Sequence, residues 1–172
     1  MITVLRLGHR FGRDDRISTH CGLVARALGA DAIIYSGDHD GSMIEGLKKT
    51  SKRWGGKFRI GYETKWKKIL DSNKKKGFCI VHATMYGLPL QKRIKEIRKK
   101  KKILFVIGGE KVPGELYSLV NYNIAVTNQP HSEVAALAIF MHEYVKGKEL
   151  GSKFKGKINI VPQEKGKKVI EC

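Results

Sequence analysis

Three observations predict an α/β fold, a mostly parallel sheet flanked by helices. Short β-rich runs recur along the 172 residues, with amphipathic helical stretches between several of them. Two runs, 78–82 and 103–107, are apolar almost throughout, as strands covered on both faces are. Three later runs are each followed by a polar stretch carrying Gly and Pro, the character of ligand loops at the carboxyl ends of parallel strands.

The expected strands are ITVLRL (2–7), AIIYS (32–36), KFRIGY (57–62), FCIVHA (78–83), KILFVIG (102–108) and NIAVT (123–127). STHCGLVARALGA (18–30) predicts a helix with Leu23, Ala27 and Leu28 on one side. PLQKRIKEIRKK (89–100) predicts another, apolar at Leu90, Ile94 and Ile97 and otherwise largely basic. PHSEVAALAIFMHEYV (130–145) predicts a third, striped by Val134, Leu137, Ala138, Met141 and Val145. The tail changes character, rich in Gly and Lys with short β-like pieces at 158–161 and 169–170. This reading gives a domain over 1–150 and a basic extension over 151–172, packed on the domain or on a partner.

Composition narrows the function. The 34 Lys and Arg stand against 16 Asp and Glu, a net of +18. That excess repels itself and points to a polyanionic partner, nucleic acid before an anionic membrane, since no basic amphipathic helix with large aromatics is evident. A thermophile's Lys-rich surface would bring matching Glu. The apolar runs ILFVI and AALAIFM are too short to span a bilayer, and MITVLRL has no secretory-signal pattern, so a cytoplasmic protein is expected. Cys21, Cys79 and Cys172 lie far apart, without CxxC spacing, and read as reduced thiols.

The three loops are HATMYGLP (82–89), GGEKVPGE (108–115) and TNQPHSE (127–133). A helix start needs one capping side chain and tolerates a proline, which leaves most of the polarity of 127–133 unexplained. Gly108 and Gly109 permit close approach to the backbone, and Pro89, Pro113 and Pro130 stiffen the loops. A turn with a cap accounts for any one loop; three at successive strand ends argue for a pocket. Neither GxGxxG nor GxxxxGK[ST] occurs, which disfavours kinase and NTPase readings. After the first strand, RLGHRFGRDDRISTH (6–20) sets Arg6, Arg10, Arg13 and Arg16 beside His9, His20, Asp14 and Asp15, a pattern suited to bidentate phosphate or carboxylate recognition. GDHDG (37–41) reads as a turn, and no metal site is assigned.

LRLGHRFGRDDRISTH, VHATMYGLPL, IGGEKVPGELY and NIAVTNQPHSEVAALAIF together resemble the archaeal tRNA T-loop cytidine 2'-O-methyltransferases, a branch of the SPOUT methyltransferases. The match runs from about residue 2 to 162. The resemblance implies a SPOUT-type sheet with a deep C-terminal trefoil knot and a homodimer whose active site lies near the subunit interface. It also implies a pocket for bent S-adenosyl-L-methionine and a tRNA substrate. Carried over residue by residue, the cofactor contacts are Ala83, where a larger aliphatic residue is expected; Gly108, Gly109, Glu110, Lys111 and Val112; and Val126, Thr127, Asn128, Gln129, Pro130, His131, Ser132 and Glu133. Related enzymes use an arginine near the first strand to position the ribose or its phosphate. Arg16 is the first choice, Arg10 the second and Arg13 the third, with His20 orienting a phosphate and Arg26 pairing with an acid. The basic stretches 91–102 and 153–168 would hold tRNA phosphates. The rival readings are a non-catalytic RNA-binding protein and a SPOUT enzyme acting on another RNA position.

Overall fold

In the first strand, β1 (Ile2–His9), side chains alternate between two apolar layers, and this alternation organises the molecule. Ile2 and Val4 pack into one layer, Leu5 and Leu7 into the other. The computed structural model describes residues 1–109 and 112–171. Glu110, Lys111 and Cys172 lie outside the described residues.

Five further strands complete the sheet: β2 (Ala32–Gly37), β3 (Arg59–Tyr62), β4 (Cys79–Pro89), β5 (Ile103–Gly108) and β6 (Tyr122–Ala125). Their order is β3-β2-β1-β5-β4-β6, and every pairing is parallel. Strand β5 is buried from Ile103 through Ile107, with Ile103, Phe105 and Ile107 on one face and Leu104 and Val106 on the other. Both faces must therefore be covered by helices.

On the first face lie α1 (Asp15–Ala27), α2 (Gly41–Trp54), α4 (Leu90–Ile97) and α6 (Glu133–Val145). Phe140 of α6 stacks on Phe105 of β5 with ring centroids 3.8 Å apart. On the other face α3 (Trp66–Lys75) contributes Ile69 and Leu70, and the short α5 (Leu116–Leu119) contributes Leu116. The sequence reading did not resolve α2 and α3. Both nevertheless keep the helical spacing, Met43, Ile44 and Leu47 in α2 and Trp66, Ile69 and Leu70 in α3, so the signal is present among their lysines.

Two boundaries differ from expectation in ways that matter for the site. Helix α1 begins at Asp15 rather than Ser18, so Arg16 lies on its first turn and not in a loop. Helix α6 begins at Glu133, capped by Ser132, whose Oγ accepts the Ala135 N–H at 3.3 Å. Pro130 and His131 consequently stay in the loop.

The tail forms an antiparallel hairpin of β7 (Ile158–Val161) and β8 (Lys168–Glu171), separate from the main sheet. Its base is seated on the same chain. The Lys157 N–H donates to Arg53 O at 2.9 Å, and Ile158 is buried. A Cβ on Gly156 would come within 2.4 Å of the Trp54 backbone, so the two chain segments cross there only because the residue is glycine. Arg26, expected to pair with an acid, instead donates from Nη2 to Gly55 O at 2.6 Å and lies over the Phe154 ring. The helix terminus and tail present a carbonyl and an aromatic face at that point, and no carboxylate. Cys21 is buried, its thiol pushed up to about 12 by desolvation, and Cys79 is half-buried; neither is bonded to another cysteine. No described helix is long and apolar enough to cross a membrane.

Candidate active site

The carboxyl ends of β4, β5 and β6 meet around a cleft of ≈ 780 Å³, within the range of small-molecule sites. It is built by an irregularity in β4. Ala83 and Leu88 are both in register with Ile124 of β6, so residues 84–87 bulge out as an arch over the strand end. Gly87 closes the arch, since a Cβ there would lie 2.6 Å from the Ile124 backbone. Asn128 straps it down, with Nδ2 donating to Met85 O at 2.6 Å and Gly87 O at 3.2 Å.

His82 lies at the foot of the arch and is fully buried. Its Nδ1 is 2.8 Å from Asn123 Oδ1, while Asn123 Nδ2 donates to Tyr117 O at 2.8 Å. That second bond orients the amide, so Nδ1 carries the proton and Nε2 presents a lone pair. Burial holds the imidazole pKa below its ordinary value, favouring the neutral ring. Nε2 is buried without a hydrogen-bond partner among the described residues, and His82 lines the cleft.

Behind the cleft lies a buried arginine. Arg6 follows Ile2 and Val4 on the inward face of β1 and is 1% exposed. Its Nη2 is 2.8 Å from Glu133 Oε1 and 3.7 Å from Asp14 Oδ2, and its Nη1 donates to Leu7 O. Arg10 grips the same Asp14 with two bonds, at 3.0 and 2.9 Å. The hydrogen bond from Arg10 is the main cause that holds the Asp14 carboxyl below the usual range, with the Arg6 charge adding to it. Arg6 thus joins β1 to the first residue of α6, which borders the cleft. Strand parity was the signal for it: a charge on a core-facing position needs buried partners.

Of the residues expected at the cofactor, the cleft gathers Ala83, Gly108, Gly109, Val112, Val126, Gln129, Pro130, His131 and Glu133. Thr127 is exposed and outside its lining, Asn128 ties the arch, and Ser132 caps α6. Glu110 and Lys111 lie outside the described residues. His82 and Tyr117 were not singled out in advance; they arrive from β4 and α5 through sheet register. Arg16 and His20 line a separate shallow depression with Asp15, Thr19, Asp40, Ser42 and Met43, and Arg10 is engaged with Asp14. Within one chain, then, the expected catalytic residues do not share a cavity with the cleft. A second hollow, ≈ 770 Å³, follows α3 between Lys65 and Lys76 but includes none of the strand-end loops.

The sheet and its helices have the fold of the SpoU-type RNA methyltransferases. The A. aeolicus TrmH/SpoU tRNA modifying enzyme superposes with a TM-score of 0.63 at 18% identity, over 87% of this chain and 76% of that one. The SpoU methyltransferase AviRb from Streptomyces viridochromogenes gives 0.65 at 15% identity, over 88% and 61%. Sequence then specifies the branch. The family described as tRNA ribose 2'-O-methyltransferase, aTrm56, matches residues 54–170. The tRNA (cytidine(56)-2'-O)-methyltransferase of Methanothermobacter thermautotrophicus is 48% identical over 99% of this chain and 96% of its own length. That of Thermococcus kodakarensis is 51% identical over 99% and 97%. This chain belongs to the tRNA ribose 2'-O-methyltransferase family.

Proposed function

We propose that this protein methylates the 2'-hydroxyl of a cytidine in the T-loop of tRNA, cytidine 56 by the relatives' names, using S-adenosyl-L-methionine. The convergence of three strand-end loops on one cleft carries this reading, in a family member bearing a net charge of +18. The residues fit the cofactor. The walls are mixed apolar and polar, and the unpartnered His82 Nε2 is an acceptor awaiting a donor. S-adenosyl-L-methionine, when bound, supplies a methyl carbon activated by its sulfonium.

The chain's part is to hold and orient. Gly108, Gly109 and residues 129–131 offer backbone along the cleft, and Arg6 fixes Glu133 at its border. The ribose oxygen must shed its proton as the new bond forms. Arg16 serves this step by gripping the ribose phosphate and placing positive charge beside the oxygen; a guanidinium is too weak a base to do more. Arg10, paired with Asp14, is the second candidate for this step, and His20, beside Arg16, orients a phosphate.

Because Arg16 lies outside the cleft of its own chain, the working enzyme is a homodimer in which one subunit's Arg16 serves the other's cleft. The exposed side chains of Phe11, Tyr86, Leu88 and Ile139 support such an interface. The arch at 84–87, with Asn128 passing against it, supports a C-terminal trefoil knot. Residues 1–150 form the catalytic unit, 151–172 extend its basic surface, and the enzyme works in the cytoplasm. Incubation with labelled S-adenosyl-L-methionine and unmodified tRNA, followed by mapping, should place the label on a T-loop cytidine ribose. Label on a base, or none, would refute the assignment. Arg16→Ala should abolish transfer while cofactor binding survives. Mixing it with a cleft-blocked Gly109→Trp subunit should restore activity, and failure to do so would reject sharing between subunits.

A further inference from the structure

We propose that His9, Asp15 and Asp40 form a site for a divalent transition-metal ion of the zinc or manganese kind. The site joins the β1–α1 and β2–α2 loops and lies apart from the cleft. His9 closes β1 and is 1% exposed. Its Nδ1 is 2.9 Å from the buried Ser18 Oγ, which fixes the ring. Its Nε2 is buried and has no hydrogen-bond partner among the described residues. Instead it faces two carboxylate oxygens, Asp15 Oδ1 at 3.8 Å and Asp40 Oδ2 at 4.0 Å. The three atoms all lie within 4.8 Å of one another.

These spacings are too long for hydrogen bonds. They suit atoms sharing one ion, since ligands at ~2.0–2.2 Å from a metal stand roughly 3–4 Å apart. Both carboxylates are held in place by other contacts. Asp40 Oδ1 caps α2, accepting from the Met43 N–H at 2.9 Å and from the Ser42 hydroxyl at 2.8 Å. These contacts fix the carboxylate and leave Oδ2 turned to His9. Asp15 Oδ1 accepts the Gly12 N–H at 2.8 Å. With Nδ1 donating to Ser18 Oγ, the tautomer a metal would select, Nε2 turns a lone pair toward two anions, an arrangement that a cation completes. The Nδ1–Ser18 contact is the outer bond that orients a ligating imidazole. The depression beside Asp15 and Asp40 is open to solvent, giving an approach path and space for water ligands. One imidazole with two carboxylates suits Zn²⁺ or Mn²⁺ better than all-oxygen Mg²⁺ or thiol-seeking Cu⁺. A bound ion would brace the first turn of α1, which carries Arg16, with His20 one turn further on.

The full-length protein, stripped with a chelator, is titrated with Co²⁺ and followed by visible absorption, then challenged with Zn²⁺. One Co²⁺ per chain, displaced by Zn²⁺, is expected. Asp15→Asn, at a side chain 45% exposed and therefore tolerant of change, should weaken Co²⁺ binding by about tenfold or more. Zn²⁺ should raise the melting temperature of the wild type and not of the variant. Failure of the wild type to take up Co²⁺ or Zn²⁺, or equal affinity in Asp15→Asn, would overturn the proposal. In that case a proton shared by His9 and the two carboxylates satisfies the cluster.

Discussion

Arg6 carries a full charge at a position where β1 otherwise presents Ile2 and Val4 to the core. It is tolerated because Glu133 and Asp14 meet it, and it makes the cleft border depend on the first strand. Arg6→Met should cost about 3 kcal/mol in urea unfolding, because Glu133 is left partly buried without its partner while Asp14 keeps Arg10. Adding Glu133→Gln should recover part of that loss; strict additivity would show that the pair is uncoupled. His82 imposes a pH limit. Its folded pKa lies below the unfolded value of about 6.5, so acid protonates the unfolded chain first and favours unfolding. His82 therefore withdraws none of the stability above pH ~6.5, and stability falls as pH drops from there through the folded pKa. Equilibrium unfolding across pH 5–7 should decline less steeply in His82→Gln than in the wild type.

Among the elements, the β4 arch and the start of α6 divide the work of residues 126–133. Val126, Gln129, Pro130, His131 and Glu133 border the cleft, whereas Ser132 belongs to the helix and Asn128 to the arch. Ser132→Ala should lower stability by about 1 kcal/mol, the usual cost of a lost cap, with little change in cofactor affinity. Asn128→Ala should do the reverse. Its bonds are solvent-exposed, so stability should change by less than ~1 kcal/mol, while a loosened arch weakens S-adenosyl-L-methionine binding several-fold by calorimetry. A loss of stability with unchanged affinity would reduce Asn128 to a scaffold residue.

Across the whole molecule, charge governs the RNA partner. Lysines crowd 98–102 and the tail hairpin, where Lys165, Lys167 and Lys168 are exposed. Affinity for tRNA should fall steeply with salt. Replacing those three lysines with Gln should reduce the log–log salt slope by about 2, at ~0.7 per single-strand phosphate contact. An unchanged slope would place the tail away from RNA.

The sheet, three of its helices and the three loops were legible in the sequence, since burial on both faces writes continuous apolar runs and ligand loops break them with Gly and Pro. Helices α2 and α3 were not read, although Met43, Ile44 and Leu47, and Trp66, Ile69 and Leu70, keep the helical period among the lysines. The cleft-bordering positions at 83, 108, 109 and 129–131 followed from motifs, which are local. His82 and Arg6 did not. Strand parity places Arg6 toward the core, but it does not say what meets either side chain there; the partners Asn123 and Glu133 are brought to them by parallel register and by the packing of α6 on α1. The sequence by itself determined the family, the strand order's raw material and the polyanionic partner. Only the tertiary structure decided which side chains share a cavity. It separated Arg16 from the cleft and turned His9 toward Asp15 and Asp40, because the distances between strand ends are set by sheet register and not by spacing along the chain.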